Sequence, residues 1–184
     1  MQTLGISNST PRSESRLKSL FWPTIQSGAD VDYLGSQGYW VCAIVAVIAF
    51  VFSFLVGQPY VGALVFLFYF IGGAGVRERS AYAATVVFIM FLFDTIAAPG
   101  ILRIILLGLL LSNLRATWIA SDWKPESAEA AMPMRFGETW GDKFADKLPP
   151  WIWPKVRIPY YIFSVCLLLL GLFGLAQKFS PRHG

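Results

Sequence analysis

Five stretches of the chain are almost wholly apolar, and each has nearly the length of a membrane-spanning helix. A helix needs about 20 residues to cross about 30 Å of hydrocarbon, and these stretches contain about 16–19. They occupy residues 39–56, 61–76, 81–97, 101–119 and 158–176. A soluble protein can bury one such helix, but five within 184 residues predict an all-α, polytopic integral membrane protein with about five transmembrane helices.

The second stretch is the shortest and covers only about 24 Å at 1.5 Å per residue. It is therefore a thin or untilted span, or a re-entrant segment. The links between the first four stretches are very short, so consecutive helices are expected to be antiparallel neighbours in one bundle. The chain then divides into a polar N-terminal arm, a four-helix bundle, a loop, a fifth helix and a short tail, at residues 1–38, 39–119, 120–157, 158–177 and 178–184.

The N-terminal arm is rich in Ser, Thr and Gly, and its most distinctive part is a basic and apolar patch at 16–22 that ends at Pro23. This patch either rests on anionic lipid headgroups or belongs to a disordered tail. Since the first long apolar stretch begins near Tyr39, later than the apolar region of a secretory signal, no cleaved signal is expected.

Lysine and arginine are distributed unevenly between the two sides of a five-span topology. One side holds only Arg103, Lys178 and Arg182, whereas the remaining twelve of the 15 basic residues lie on the side of the N-terminal arm and the 120–157 loop, counting Arg115 at a helix end. Cytoplasmic segments retain Lys and Arg. The bias predicts a cytoplasmic N-terminus and an external C-terminus in the plasma (inner) membrane, and it favours a true span at 61–76.

Composition excludes several classes of site. Hydrophobic residues make up 55% of the chain and charged residues 14%, against about a quarter in soluble domains. The net charge of +4 does not indicate nucleic-acid binding, because the basic residues flank the apolar stretches. With His183 as the single histidine and no clustered cysteines, a zinc site of ordinary composition cannot be assembled. No metal or cofactor is predicted.

The loop carries one amphipathic pattern. Apolar side chains recur every four residues over 136–148, with charged residues opposite them, which predicts a helix of about three turns. The apolar stripe consists of Phe136, Trp140, Phe144 and Leu148. Because the loop is tethered to the bilayer at both ends, this helix is expected to lie in the membrane interface; a docking helix for a partner's groove is the alternative.

Asp94 and Arg103 flank the turn at 98–100 and interrupt apolar sequence. A charge at the bilayer centre costs roughly 2.5–3.5 kcal/mol, which makes such residues functional candidates. However, both lie within about 5–6 Å of the turn, at 1.5 Å per residue. The pair therefore either binds an anion or relays a proton, or it forms a structural clasp whose arginine reaches the outer headgroups.

A second set of polar residues lies near the cytoplasmic ends of the spans. Glu78, Asn113 and Arg115 form a candidate cluster for headgroup anchoring or ligand binding. At 100° per residue, Arg115 shares a face of the fourth span with Gly108 and Ser112, while Arg103 points roughly 120–140° away. The continuous polar stripe of a transport path is therefore missing.

No catalytic motif emerges from the sequence. A serine–histidine–acid triad lacks a histidine at membrane depth, and no P-loop, Rossmann glycine pattern or HExxH is present. The glycine-rich stretch at 72–75 resembles a phosphate loop only in composition. Because this stretch lies at the end of a span, it predicts either a close approach between helices or a loosened helix end.

These observations favour a non-catalytic protein, a scaffold or accessory subunit of a membrane complex. The lipid bilayer is its expected surroundings, and a membrane protein or a second copy its expected partner. The alternative is a small transporter or channel that uses Asp94 and Arg103. A third class, a membrane enzyme acting on lipids, would use Glu78, Asn113, Arg115 and the loop.

Overall fold

The computed structural model describes residues 21–25, 28–121 and 152–179, and these residues form five α-helices. They are α1 (Gly28–Leu55), α2 (Pro59–Arg77), α3 (Ala81–Ala97), α4 (Ile101–Ser121) and α5 (Ile152–Phe179). Four of them are long and apolar enough to cross a membrane, and α3 is a shorter apolar helix of 17 residues. The predicted all-α membrane class is confirmed. The loop helix expected at 136–148 lies outside the described residues.

Local sequence explains where the helices begin and end. Gly57 adopts φ +79° between α1 and α2, a left-handed conformation that glycine adopts without steric cost. Pro59 then opens α2, where its missing N–H would have no intrahelical partner. Ser80 caps α3, because its Oγ accepts a hydrogen bond from the Ala83 amide at 3.3 Å. These short links make consecutive helices antiparallel neighbours.

The first helix begins well before the apolar stretch that predicted it. Residues 28–38, expected as part of a polar arm, are helical. Val31 and Leu34 are fully buried, and Gly35 lies against the backbone of Val76 in α2. The extension forms because packing against the rest of the fold buries Val31 and Leu34. The mean hydropathy of residues 28–38 as a whole is too low to indicate a span.

Helices α1 to α4 form a closed bundle in which each contacts the next and α4 returns to α1. Helix α5 lies outside this bundle, against α2 and α3. The bundle therefore has two ends, which we name by a residue: the Arg79 end, where α1, α3 and α5 begin, and the Pro99 end, where α3 turns into α4.

The glycines near the end of α2 set the distances to its neighbours. A Cβ on Gly73 would come 2.8 Å from the Cβ of Cys42 in α1, and one on Gly72 would come 2.6 Å from Val87 in α3. Gly75 faces α3 and α5 in the same way. The close helix approach predicted for this stretch is confirmed, and α2 remains helical through it.

Aromatic residues of α5 fill the space that these glycines leave. The Trp153 ring lies against Gly75, and the Tyr160 hydroxyl lies against Gly72. Tyr160 also stacks on Phe68 of α2 with ring centroids 5.7 Å apart. Since both α5 side chains are buried, the glycine surface of α2 is what allows α5 to dock.

Outward-facing side chains are apolar over most of the helix lengths. On α1, Phe52 and Leu55 are 67% and 77% exposed, and on α5 Leu170 and Phe173 are 64% and 63% exposed. A water-soluble protein of this size would not leave such continuous apolar surface uncovered. The surface suits contact with lipid.

Adding a side chain on the glycine surface of α2 is expected to destabilise the fold. Gly75→Val would collide with the Trp153 ring and with Ala83, and such overpacking costs about 1–3 kcal/mol. Gly174→Ala in α5 is the matched control, since nothing lies within 4 Å of the added Cβ, and it should be neutral or slightly stabilising. Thermal unfolding of the detergent-solubilised variants measures both. Equal melting temperatures would contradict the role given to the glycine surface.

Candidate functional site

The Asp94 carboxylate, at the Pro99 end, is bonded to a tyrosine of α2. The Tyr69 hydroxyl donates to Asp94 Oδ2 at 2.9 Å. Tyr69 is 1% exposed, whereas Asp94 is half-buried. A buried hydroxyl needs an acceptor, and α3 supplies one from a position where the carboxylate still reaches the surface.

Arg103 bonds to the end of the α3 backbone rather than to the carboxylate. Its Nη1 donates to the carbonyl oxygens of Asp94 and Ala98, at 2.8 and 2.7 Å. Lys178 of α5 bonds to the Ala97 carbonyl. The last carbonyls of a helix have no intrahelical partner and carry partial negative charge, so these two cations from neighbouring helices cap α3.

The structure thus brings Asp94 and Arg103 together at the turn, through different atoms from those of an ion pair. Arg103 fastens α4 to the end of α3, and Lys178 fastens α5 to the same end. This geometry favours the structural interpretation of the pair. Sequence reasoning missed Tyr69, whose hydroxyl in the middle of an apolar stretch was the available signal.

The three residues proposed as a cluster at the other end occupy separate places. Asn113 is 2% exposed between α4 and α1, and its Nδ2 donates to the Leu34 carbonyl at 2.6 Å. Gly38 makes room for the amide, since a Cβ there would come 2.8 Å from it. Glu78 is exposed just after α2. Asn113 therefore links two helices, whereas Glu78 is exposed.

Arg115 holds the segment that precedes α1. Its Nη1 donates to the Pro23 carbonyl at 3.0 Å, and its guanidinium lies 4.5 Å from the centroid of the Trp22 ring. Phe21 packs over Gly108, in α4. The face of α4 shared by Gly108 and Arg115 is thus covered by residues 21–23, which sequence reasoning did not connect with it.

A further ion pair at this end was also missed. Arg79 Nη2 lies 2.7 Å from Asp32 Oδ1 of α1, with both side chains about one-third exposed. Arg79 has φ +57°, and the Ser80 amide bonds back to the Gly75 carbonyl at 3.0 Å, as at helix ends that usually carry glycine. The pair joins the α2–α3 link to the start of α1.

The cavity between α2 and α5 is too small for an ordinary small-molecule substrate. A cavity of about 30 Å³ between α2 and α5 is lined by residues that include Arg77, Glu78 and Trp153. That volume suits about one water molecule, whereas small-molecule sites occupy about 300–1,000 Å³. Within residues 21–25, 28–121 and 152–179, no group of three or more His, Cys, Asp or Glu side chains could hold a metal ion. The loop stripe of Phe136, Trp140, Phe144 and Leu148 lies outside these residues.

Substitutions at Asp94 are expected to separate its hydrogen bond from its charge. Asp94→Asn keeps an oxygen that accepts from Tyr69 and should change stability little. Asp94→Leu leaves the buried Tyr69 hydroxyl without an acceptor, at a cost of about 1–3 kcal/mol, and adding Tyr69→Phe should recover part of this loss. Thermal unfolding in detergent tests the series, and equal effects of Asn and Leu would contradict it.

A charge swap gives an independent check of the same geometry. The double variant Asp94→Arg with Arg103→Asp should not regain stability, because Arg103 bonds to backbone carbonyls that an aspartate cannot serve. Recovery of the wild-type melting temperature would show instead that the two side chains act as an ion pair.

At both ends of the bundle, therefore, the polar side chains described above bind other parts of the same chain. Comparisons of the chain with models of known protein families, with curated proteins and with solved structures give no match. Its function is accordingly inferred from the geometry of its own residues.

Proposed function

We propose that the protein is a non-catalytic, multi-pass membrane protein that acts as a scaffold or accessory subunit of a membrane complex. The observation that carries this proposal is that the candidate site residues Asp94, Arg103 and Asn113 are bonded to other parts of the fold. Asp94 accepts from Tyr69, Asn113 bonds to α1, and Arg103 caps α3. Side chains that are bonded in this way are not available to bind or convert a substrate.

The position of α5 supports the subunit role. Only 11% of the apolar 18-residue stretch of α5 is buried inside the fold, against 28–39% of the corresponding stretches of α1, α2 and α4. One side of α5 lies on α2 and α3, and the other presents Ile162, Leu169 and Phe173, each more than 60% exposed. A transmembrane helix of a partner subunit would pack on this outer face.

The proposed topology has five spans, with the N-terminus in the cytoplasm and the C-terminus outside the plasma membrane. The uneven distribution of Lys and Arg supports this orientation, and the antiparallel order of the helices agrees with an odd number of crossings. At 17 residues, α3 covers about 25 Å. This length is short for a bilayer, and capping by Arg103 and Lys178 allows its end to lie near the headgroups.

Purification in a mild detergent tests the subunit role. A partner present in stoichiometric amount is expected to co-elute with the wild-type chain. Leu169→Trp should abolish co-elution without unfolding the protein, because Leu169 is 62% exposed on this outer face. Ile48→Trp, on the exposed face of α1, is the control and should retain the partner. A wild-type chain that elutes as a lone monomer would contradict the proposal.

Cysteine labelling tests the topology in a background that lacks Cys42 and Cys166. A membrane-impermeant reagent applied outside should label cysteines at positions 58 and 99, and should leave those at 78 and 140 unlabelled until the membrane is opened. Labelling of all four positions from one side would rule out five spans.

A further inference from the structure

Arg115 is a half-buried cation whose contacts in the described part of the chain are all uncharged. One of its five N–H donors bonds to the Pro23 carbonyl, and the guanidinium faces the Trp22 ring. By contrast, Arg79 pairs with Asp32. A partly desolvated charge without a counter-ion is costly, so the surroundings of Arg115 favour an anion.

A second polar group of α4, three residues before Arg115, lacks a hydrogen-bond partner in the described part of the chain. Ser112 is 1% exposed, and its Oγ has no hydrogen-bond partner among the described residues. On α4 it lies about 40° from Gly108 and about 60° from Arg115 at 100° per residue, and both of those residues contact the segment at 21–23. Polar groups in this part of α4 are therefore incompletely bonded within the described residues.

The side chains around Arg115 indicate a lipid rather than a free anion. Trp22 is 48% exposed beside the guanidinium. Phe21 packs at Gly108, seven residues and about 10 Å along α4 from Arg115. The amphipathic Trp22 ring thus lies beside the cation, and the apolar Phe21 ring lies deeper in the membrane. This order matches that of a phospholipid, whose phosphate lies above its acyl chains. Guanidinium groups bind such phosphates through paired hydrogen bonds.

We infer that Arg115, together with Trp22, binds the phosphate of an anionic phospholipid in the leaflet at the Arg79 end. Anionic lipids concentrate in the cytoplasmic leaflet, where basic residues near the surface attract them. The inference rests on the proposed membrane topology. The bound lipid would hold residues 21–23 against the face of α4 that carries Gly108 and Arg115.

Lipid-dependent stability of the full chain in a neutral detergent tests this inference. Added phosphatidylglycerol should raise the melting temperature, and phosphatidylcholine should not. Arg115→Gln should weaken the phosphatidylglycerol response roughly fivefold in apparent affinity, the share of one interfacial arginine. Arg115→Lys should respond more weakly than the wild-type chain and more strongly than Arg115→Gln, because an ammonium group keeps the charge and loses the paired hydrogen-bond geometry. Arg157→Gln is the control for non-specific attraction, since Arg157 is exposed on α5, which packs on α2 and α3; it should weaken the response less than Arg115→Gln does.

An unchanged phosphatidylglycerol response in Arg115→Gln, or an equal response to phosphatidylcholine, would overturn the inference. A full response to inorganic phosphate alone would show a free-anion site and overturn the assignment to lipid. If Arg115→Gln does not fold, Trp22→Leu replaces it and should also weaken the response. The labelling experiment on intact membranes tests the topology separately, so a wrong topology and a missing lipid site give different results.

Discussion

The close approach of three helices to the glycine-bearing end of α2 is the constraint on which the rest of the structure depends. Within a bilayer, helices gain little from the hydrophobic effect when they associate, and packing at short distance must supply the attraction. Gly73 provides it towards α1, and Gly72 and Gly75 provide it towards α3 and α5. Without these glycines, Trp153 and Tyr160 would have no place in the core.

Polar contacts add specificity to this packing at the two ends of the bundle. Near the Pro99 end, Arg103 of α4 and Lys178 of α5 bond to carbonyl oxygens in the last turn of α3. Near the Arg79 end, Asn113 and the Asp32–Arg79 pair tie α4 and the α2–α3 link to the start of α1. The contacts of Arg103, Lys178 and the Asp32–Arg79 pair lie close to helix termini, where the cost of desolvating a polar group is lower than at the bilayer centre.

Helix length and hydropathy predicted the fold class because both are sums over local sequence. The predicted ends at 81–97 coincide with those of α3, whose serine cap and following turn are local signals. The start of α1 was predicted too late, because residues 28–38 are polar on average even though Val31 and Leu34 are buried within the fold. Their helical spacing with Gly38 was a signal that mean hydropathy does not capture.

The candidate site was predictable only in part. Sequence position placed Asp94 and Arg103 near one turn, and the structure agrees, but it could not show that the guanidinium binds carbonyls. Helical periodicity placed Arg115 on a different face of α4 from Arg103, without indicating that residues 21–23 cover that face. These contacts join residues far apart in sequence, and they depend on the rotation of each helix about its axis.

The sequence by itself determined that the chain is an all-helical membrane protein, since apolar length and the position of charges require nothing from the rest of the fold. Only the tertiary structure decided which group each polar side chain binds. The reason is physical: burial in a bilayer requires that backbone and side-chain polar groups find partners, but which partner is within hydrogen-bond distance depends on how closely and at what angle the helices pack. In this protein, the glycines of α2 largely set that packing.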